Sequence, residues 1–183
     1  MVAPKTNTYS LIEAKPFSPH LGAEVYGVDL SETISDAQFS EILDAFLKYQ
    51  VLFFKNQKEI PPEQHVIFGK RFGPLHAHPA APTMEGHPEI FEIHATKDSK
   101  VANGEFWHSD VSCDDTPPLG TMLQIHIAPP YGGDTMFSNM EAAYDDLSDP
   151  MKKMLGGLTA LHSSEHIYKG RYSDRGKRDV DID

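Results

Sequence analysis

Cysteine and tryptophan each occur once in these 183 residues, and basic residues are outnumbered, 16 Lys and Arg against 27 Asp and Glu. The lone thiol, Cys113, excludes an intrachain disulfide, so nothing ties the chain to an oxidising compartment. A formal charge of −11 is the wrong sign for a phosphate backbone and argues against nucleic-acid binding. Long apolar runs are also missing. The longest spans only residues 51–54, whereas a bilayer-spanning helix needs about 20 residues. The amino terminus, MVAPKTNTYSLIEAKPF, lacks the apolar segment of a secretory signal. There is no G-x-S-x-G elbow, no Walker loop and no G-x-G-x-x-G. These absences leave a soluble, cytoplasmic protein with neither membrane nor nucleic-acid partners. Its length fits a single domain over residues 1–183.

What is present is a mixture of strands and capped helices. Residues 1–20 read as an extended, proline-spaced lead-in, and 22–30 alternate in part, as a short strand does. Ser35 and Gln38 form an S-x-x-Q capping box ahead of Phe39, Ile42, Leu43, Phe46 and Leu47, which fall on one face of a helix. Residues 51–54 follow as a buried strand. Pro61-Pro62 opens a second helix, because proline in the first turn forfeits no intrahelical bond, and Gly73-Pro74 stops it. Strands are predicted at 90–94, 119–128 and 134–137. In the longest, Leu119, Thr121, Leu123, Ile125 and Ile127 share one face, and Gln124 and His126 the other. Ser138 with Glu141 caps a helix reaching about Leu147, and Ser148 with Pro150 starts another that carries Met151, Met154, Leu155 and Leu158. The closing segment, 169–183, holds five basic and four acidic residues with few apolar ones, the composition of a charged loop between elements. The single domain therefore reads as unfinished at its carboxyl end.

The sharpest chemical signal is Trp107-His108-Ser109-Asp110. On an extended segment, side chains two apart project from one face, so His108 and Asp110 can converge on one point. An imidazole and a carboxylate are two of the three ligands of the facial triad that leaves open positions on Fe(II). The same spacing also serves an ordinary surface hydrogen bond, and the tripeptide alone favours that plainer reading. His76 and His78 form a second such pair among ten histidines, flanked by prolines. There a substrate contact at His78 competes with a solvent-facing ring. His126, His162 and His166 read as structural histidines, since serine rather than glutamate follows the first of the last two and the H-E-x-x-H pattern of a zinc-protease helix is not met. Cys113 has no base beside it and reads as a buried or half-buried thiol.

The tripeptide gains weight from its neighbours. In order along the chain come Leu21-Gly22-Ala23-Glu24, Gly27-Val28-Asp29-Leu30, Tyr49-Gln50-Val51-Leu52-Phe53-Phe54, Arg71-Phe72-Gly73 and His78-Pro79. After Trp107-His108-Ser109-Asp110 follow Thr116-Pro117-Pro118, Gly132-Gly133-Asp134-Thr135, Ala142-Ala143-Tyr144 and Leu147-Ser148. From about residue 9 to about 170, the chain resembles the 2-oxoglutarate-dependent dioxygenases of the taurine and phenoxyalkanoate type, the TauD/TfdA family. The resemblance implies a mainly β fold, a double-stranded β-helix (jelly roll) with flanking helices. It implies Fe(II) held by His108 and Asp110, with Trp107 orienting the ligand, and Thr135 on the distal carboxylate of 2-oxoglutarate. It also implies His78 and Asn103 on the anionic head of a small organic substrate. The implied reaction consumes O2, converts 2-oxoglutarate to succinate and CO2, and hydroxylates a sulfonate, a sulfate ester or an aryloxy or alkyl carboxylate.

The departures from the family pattern are specific. A third, histidine ligand and an arginine clamping 2-oxoglutarate have no match, for His126, His162, His166, Arg171, Arg175 and Arg178 all lie outside that context. Where taurine enzymes carry a tyrosine and an asparagine, this chain has Ala81 and Gly104, with Asn103 adjacent, which removes two donors for taurine itself. The expectation is the N-terminal two thirds of such an enzyme, truncated, inactive alone, and prone to self-association through uncovered strand edges. The alternatives are a non-catalytic homologue or binding module, and a two-ligand site completed by another subunit.

Overall fold

The computed structural model describes residues 9–77, 83–96, 104 and 106–165. The chain divides into two compact units, Met1–Gln64 with Gln124–Leu158 and His65–Leu123 with Thr159–Asp183. In the first, strand β1 (Glu13–Pro16) pairs antiparallel with β2 (Ala23–Tyr26), and β2 pairs parallel with β3 (Leu52–Phe54) across helix α1 (Asp36–Tyr49). A parallel pair needs such a crossover, and α1 supplies it. The registers Pro16↔Ala23 and Ala23↔Leu52 make β2 the central strand. Ala23 and Val25 are accordingly completely buried.

Gly22 shows why the chain enters β2 as it does. Its φ of +85° lies in the left-handed region, and a Cβ there would stand 3.2 Å from the Phe53 ring. Phe53 in turn packs against Phe17, at 5.3 Å between centroids, and edge-on to Phe137 at 6.2 Å.

Helix α1 starts as its cap predicts. The Ser35 hydroxyl accepts from the Gln38 N–H at 3.2 Å. Gln38 does not close the box, however. Its side-chain amide donates instead to the carbonyls of Leu11 and Gly27, tying the helix start to the end of the β1–β2 pair where β1 begins and β2 finishes. The buried stripe is Phe39, Ile42 and Ala45, with Leu47 64% exposed, so the packed face is rotated from the one predicted. Glu41 leaves the same helix to accept the N–H groups of Ser10, Leu11 and Ile12 and the Ser10 hydroxyl. Those donors, the Ser10 N–H foremost, hold its carboxyl below the usual range.

After β2, Asp29 accepts from the Ser31 hydroxyl and N–H and from Lys58 Nζ at 3.0 Å. These bonds, the Ser31 hydroxyl first, lower it to about 2. Gln57 fastens the same loop to the turn after β3, accepting from the Leu30 N–H and donating to the Val28 carbonyl, both at 2.8 Å. Helix α2 (Pro62–Lys70) opens on its predicted proline pair. A two-stranded hairpin, β4 (Thr83–Met84) with β5 (His87–Phe91), takes the place of the predicted strand at 90–94.

Several expectations are corrected. The lead-in contains β1, and the strand predicted at 22–30 is confined to Ala23–Tyr26. The strands predicted at 119–128 and 134–137 have no regular ladder among the described residues. A strand is completed by a partner's hydrogen bonds, and among the described residues none runs beside these segments, where Leu119, Leu123, Ile125 and Ile127 are exposed. Helix α3 (Met140–Asp145) is capped by Asn139, not Ser138, through Asn139 Oδ1 and the Ala142 N–H at 2.9 Å, and it stops at Asp145. Helix α4 (Asp149–Leu155) starts at Ser148 with proline in its first turn, without a side-chain cap bond. Among the described residues, helices of 14, 9, 6 and 7 residues accompany strands of 4, 4, 3, 2 and 5. The described strands form a three-stranded sheet and a hairpin. The charged segment 169–183 lies outside the described residues.

Two predictions follow from the packing. Ile42→Ala, at a fully buried position, lowers unfolding free energy by roughly 2–5 kcal/mol, while Leu47→Ala on the exposed side stays within about 0.5 kcal/mol, both read by urea denaturation. Because the Asp29 carboxyl titrates lower in the folded chain than in the unfolded one, its stabilisation is full above the usual value of 3.8 and lost as pH falls toward about 2. Asp29→Asn therefore flattens stability against pH over that acid window, as measured by melting temperature at successive pH values.

Candidate functional site

The residues singled out by chemistry fall mainly in the second unit, on the irregular segment after the β4–β5 hairpin. His108 and Asp110 come together there. His108 Nε2 stands 3.1 Å from Asp110 Oδ1, and both side chains are about half exposed, at 52% and 49%, so the pair is open to a ligand. The other ring nitrogen is fixed. His108 Nδ1 lies 2.7 Å from the Phe106 carbonyl oxygen. A carbonyl only accepts, so Nδ1 carries the hydrogen, and Nε2 of a neutral ring presents its lone pair. Two acceptor atoms then face each other at hydrogen-bond distance. Only a proton or a cation between them makes that arrangement favourable, and an imidazole nitrogen with a carboxylate oxygen suits Fe(II) among divalent metals. The donor set therefore fits two positions of a metal site. Among the described residues no group of three or more His, Cys, Asp or Glu converges, so these two stand without a third.

The far oxygen of the carboxylate is also engaged. Thr121 Oγ1 donates to Asp110 Oδ2 at 2.7 Å. Beyond Asp110 the chain turns sharply at Val111, whose φ of 52° is left-handed. For a β-branched residue that backbone is strained, and the strain sits where the segment leaves the carboxylate. Asp114 secures the following turn by accepting from the Thr116 N–H at 3.1 Å and from His76 Nε2 at 3.1 Å. The Thr116 N–H first and His76 second hold the Asp114 carboxyl below its ordinary value. This pair joins the loop after α2 to the segment after Asp110.

The remaining predicted residues are placed as follows. Thr135 belongs to the first unit and is exposed. His78 and Asn103, expected at the substrate, lie outside the described residues, as do Ala81 and His166. Trp107, expected to orient His108, is 67% exposed, and the contact that fixes the ring comes from the Phe106 carbonyl instead. Cys113 is exposed, not buried, because the turn after Val111 carries it outward. His126 and His162 are partnered, with Glu59 at 3.5 Å and with the Ser112 hydroxyl at 2.9 Å. Thr121 was missed as a site residue. Its hydroxyl, placed in the alternation among four aliphatic side chains, was the available signal, since a hydroxyl on an apolar face needs a partner.

Comparison with known proteins adds a family. The model of the taurine catabolism dioxygenase TauD, TfdA family matches residues 13–181. An alkylsulfatase of Acinetobacter baylyi is 34% identical over 164 residues, covering 90% of this chain and 51% of the relative. An alpha-ketoglutarate-dependent sulfate ester dioxygenase of Pseudomonas putida is 31% identical, covering 86% and 51%. The crystal structure of a taurine dioxygenase from Burkholderia xenovorans superposes with a TM-score of 0.65 at 36% identity, covering 81% of this chain and 52% of that one. The chain thus spans about half the length of the curated relatives it matches.

Proposed function

Because this chain belongs to the TauD/TfdA family, we propose that its protein is an Fe(II)- and 2-oxoglutarate-dependent dioxygenase acting on a small organic anion, a sulfate ester before all others. The observation that carries the reading is the apposition of His108 Nε2 and Asp110 Oδ1 with the opposite ring nitrogen pinned. Fe(II), when bound, would couple O2 and the decarboxylation of 2-oxoglutarate to succinate and CO2 with hydroxylation of the substrate. In this reading His108 and Asp110 hold the metal. The Phe106 carbonyl keeps Nδ1 protonated and Nε2 basic, the arrangement that orients and strengthens a ligating imidazole.

Thr135 supplies a hydroxyl donor for the distal carboxylate of 2-oxoglutarate, and His78 and Asn103 meet the anionic head of the substrate. The third ligand and the arginine that pairs with 2-oxoglutarate come from outside these 183 residues. Replacement of two taurine-binding donors by Ala81 and Gly104 favours an anion other than taurine. The names of the relatives support a sulfate ester, with another sulfonate or an aryloxy or alkyl carboxylate as the wider class. Hydroxylation at the carbon bearing the sulfate oxygen yields an unstable adduct that collapses to a carbonyl product and sulfate.

The test is succinate release by the full-length protein against a panel of alkyl sulfates, sulfonates and aryloxy acids. Substrate-dependent succinate is expected, highest with an alkyl sulfate, and His108→Ala or Asp110→Ala lowers it by more than ~100-fold. Unchanged turnover in both variants would overturn the assignment of these ligands. Absence of succinate with every substrate would leave the chain a binding module.

A further inference from the structure

We infer that Thr121 is a positioning residue for the metal site, acting through the carboxylate of Asp110; this rests on the ligand assignment just proposed. A carboxylate has two equivalent oxygens and can swing between them or offer both to one cation. Here they are made unequal. Oδ2 accepts the Thr121 hydroxyl at 2.7 Å, and Oδ1 is turned toward His108 Nε2 at 3.1 Å. The hydroxyl thus selects the oxygen that faces the metal position and holds the ligand to single-oxygen coordination, which preserves open positions for co-substrate and oxygen. Together with the Phe106 carbonyl on His108 Nδ1, it forms a chain of contacts: carbonyl, imidazole, carboxylate, hydroxyl. Each ligand is gripped on the side away from the shared space.

Several features mark Thr121 as more than incidental. Its bond reaches eleven positions along the sequence, from the far side of the Thr116-Pro117-Pro118 stretch. The turn it closes contains the strained Val111, so the Asp110 carboxylate is held both by the backbone that leaves it and by this hydroxyl. Thr121 is itself exposed, so its substitution disturbs no core.

The experiment is a Co(II) titration of the full-length protein by calorimetry, with the visible spectrum of the Co(II) complex recorded alongside. Thr121→Val keeps the shape and removes the hydroxyl, Thr121→Ser keeps the hydroxyl and removes the methyl, and Asp110→Ala is the control. We expect Thr121→Val to weaken Co(II) binding about 10-fold and to change the spectrum, as a second oxygen becomes free to coordinate. Thr121→Ser stays within about threefold of the parent with an unchanged spectrum, and metal-free melting temperatures stay level across the set. Parent-like affinity and spectrum in Thr121→Val would overturn the inference, and so would equal loss in Thr121→Val and Thr121→Ser, which would show that the effect does not follow the hydroxyl. Co(II) binding retained by Asp110→Ala, or lacking in the parent, would overturn the ligand assignment and the inference with it.

Discussion

A single carbonyl decides the chemistry of the site. The Phe106 oxygen can only accept, so the hydrogen of the His108 ring is committed to Nδ1, and the lone pair of Nε2 is directed at Asp110 Oδ1. Without that bond the ring could place its hydrogen on Nε2 and close an ordinary neutral pair with the carboxylate. With it, the same two residues present adjacent acceptors that require something positive between them. On the proposed reading, the difference between a surface hydrogen bond and a pair of metal ligands lies in one backbone atom two residues away. The residues with which this backbone contact cooperates lie in one compact unit, on a segment with no regular secondary structure. Irregular backbone is suited to this, since its carbonyls are not consumed by a helix or sheet ladder.

The first unit solves a different problem, that of holding a short parallel pair in register. β2 lies between an antiparallel and a parallel neighbour, and α1, which links β2 to β3, buries Phe39, Ile42 and Ala45. Small-area packing of this kind is supplemented by polar ties to specific backbone groups. Glu41 accepts three consecutive N–H groups from the chain entering β1. Gln38 and Gln57 donate their side-chain amides to the carbonyls of Leu11, Gly27 and Val28. The sequence pattern Gly27-Val28-Asp29-Leu30 then has a physical content: Val28 and Leu30 are buried, and Asp29 between them folds the loop onto Ser31 and Lys58.

How much of this was legible depended on whether the determining partner was near in sequence. Ser35 and the start of α1 were readable because a cap acts over three residues. Gly22 could be quoted as part of a pattern, but its reason, the Phe53 ring 3.2 Å from its missing Cβ, lies thirty-one residues away. The shift of the α1 cap partner Gln38 onto Leu11 and Gly27 was invisible for the same reason. Residues 119–128 alternate as a strand should, yet alternation states only which side chains would share a face. It does not supply the neighbouring backbone that makes a strand. At Asn139 the error was local. Ser138 and Asn139 both cap well, and the choice fell to the residue whose amide also reaches the His20 carbonyl. In the site, spacing identified His108 and Asp110, but the contacts that orient them come from a backbone atom without a sequence signature and from Thr121, whose hydroxyl among aliphatic side chains signals a partner without naming it.

Net charge adds a constraint on how an anion could be held. The chain carries −11, yet charges beyond the Debye length of about 8 Å at physiological ionic strength are largely screened. Several carboxylates are also matched locally: Asp29 by Lys58 and Ser31, Asp114 by His76 and Thr116, Glu41 by backbone donors. On the proposed reading, the potential that an organic anion meets is therefore set by the groups immediately around His108 and Asp110. In the deprotonated form that ligation requires, those two carry −1 between them. A divalent cation turns the local charge to +1. On the proposed reading, affinity for the dianionic co-substrate and for the substrate is thus conditional on the metal, and the geometry that seats the metal is also what makes an acidic chain able to hold anions. The Thr121 hydroxyl enters this balance through Asp110, because a carboxylate with one oxygen withdrawn into a hydrogen bond neutralises less of the cation's charge toward the open side.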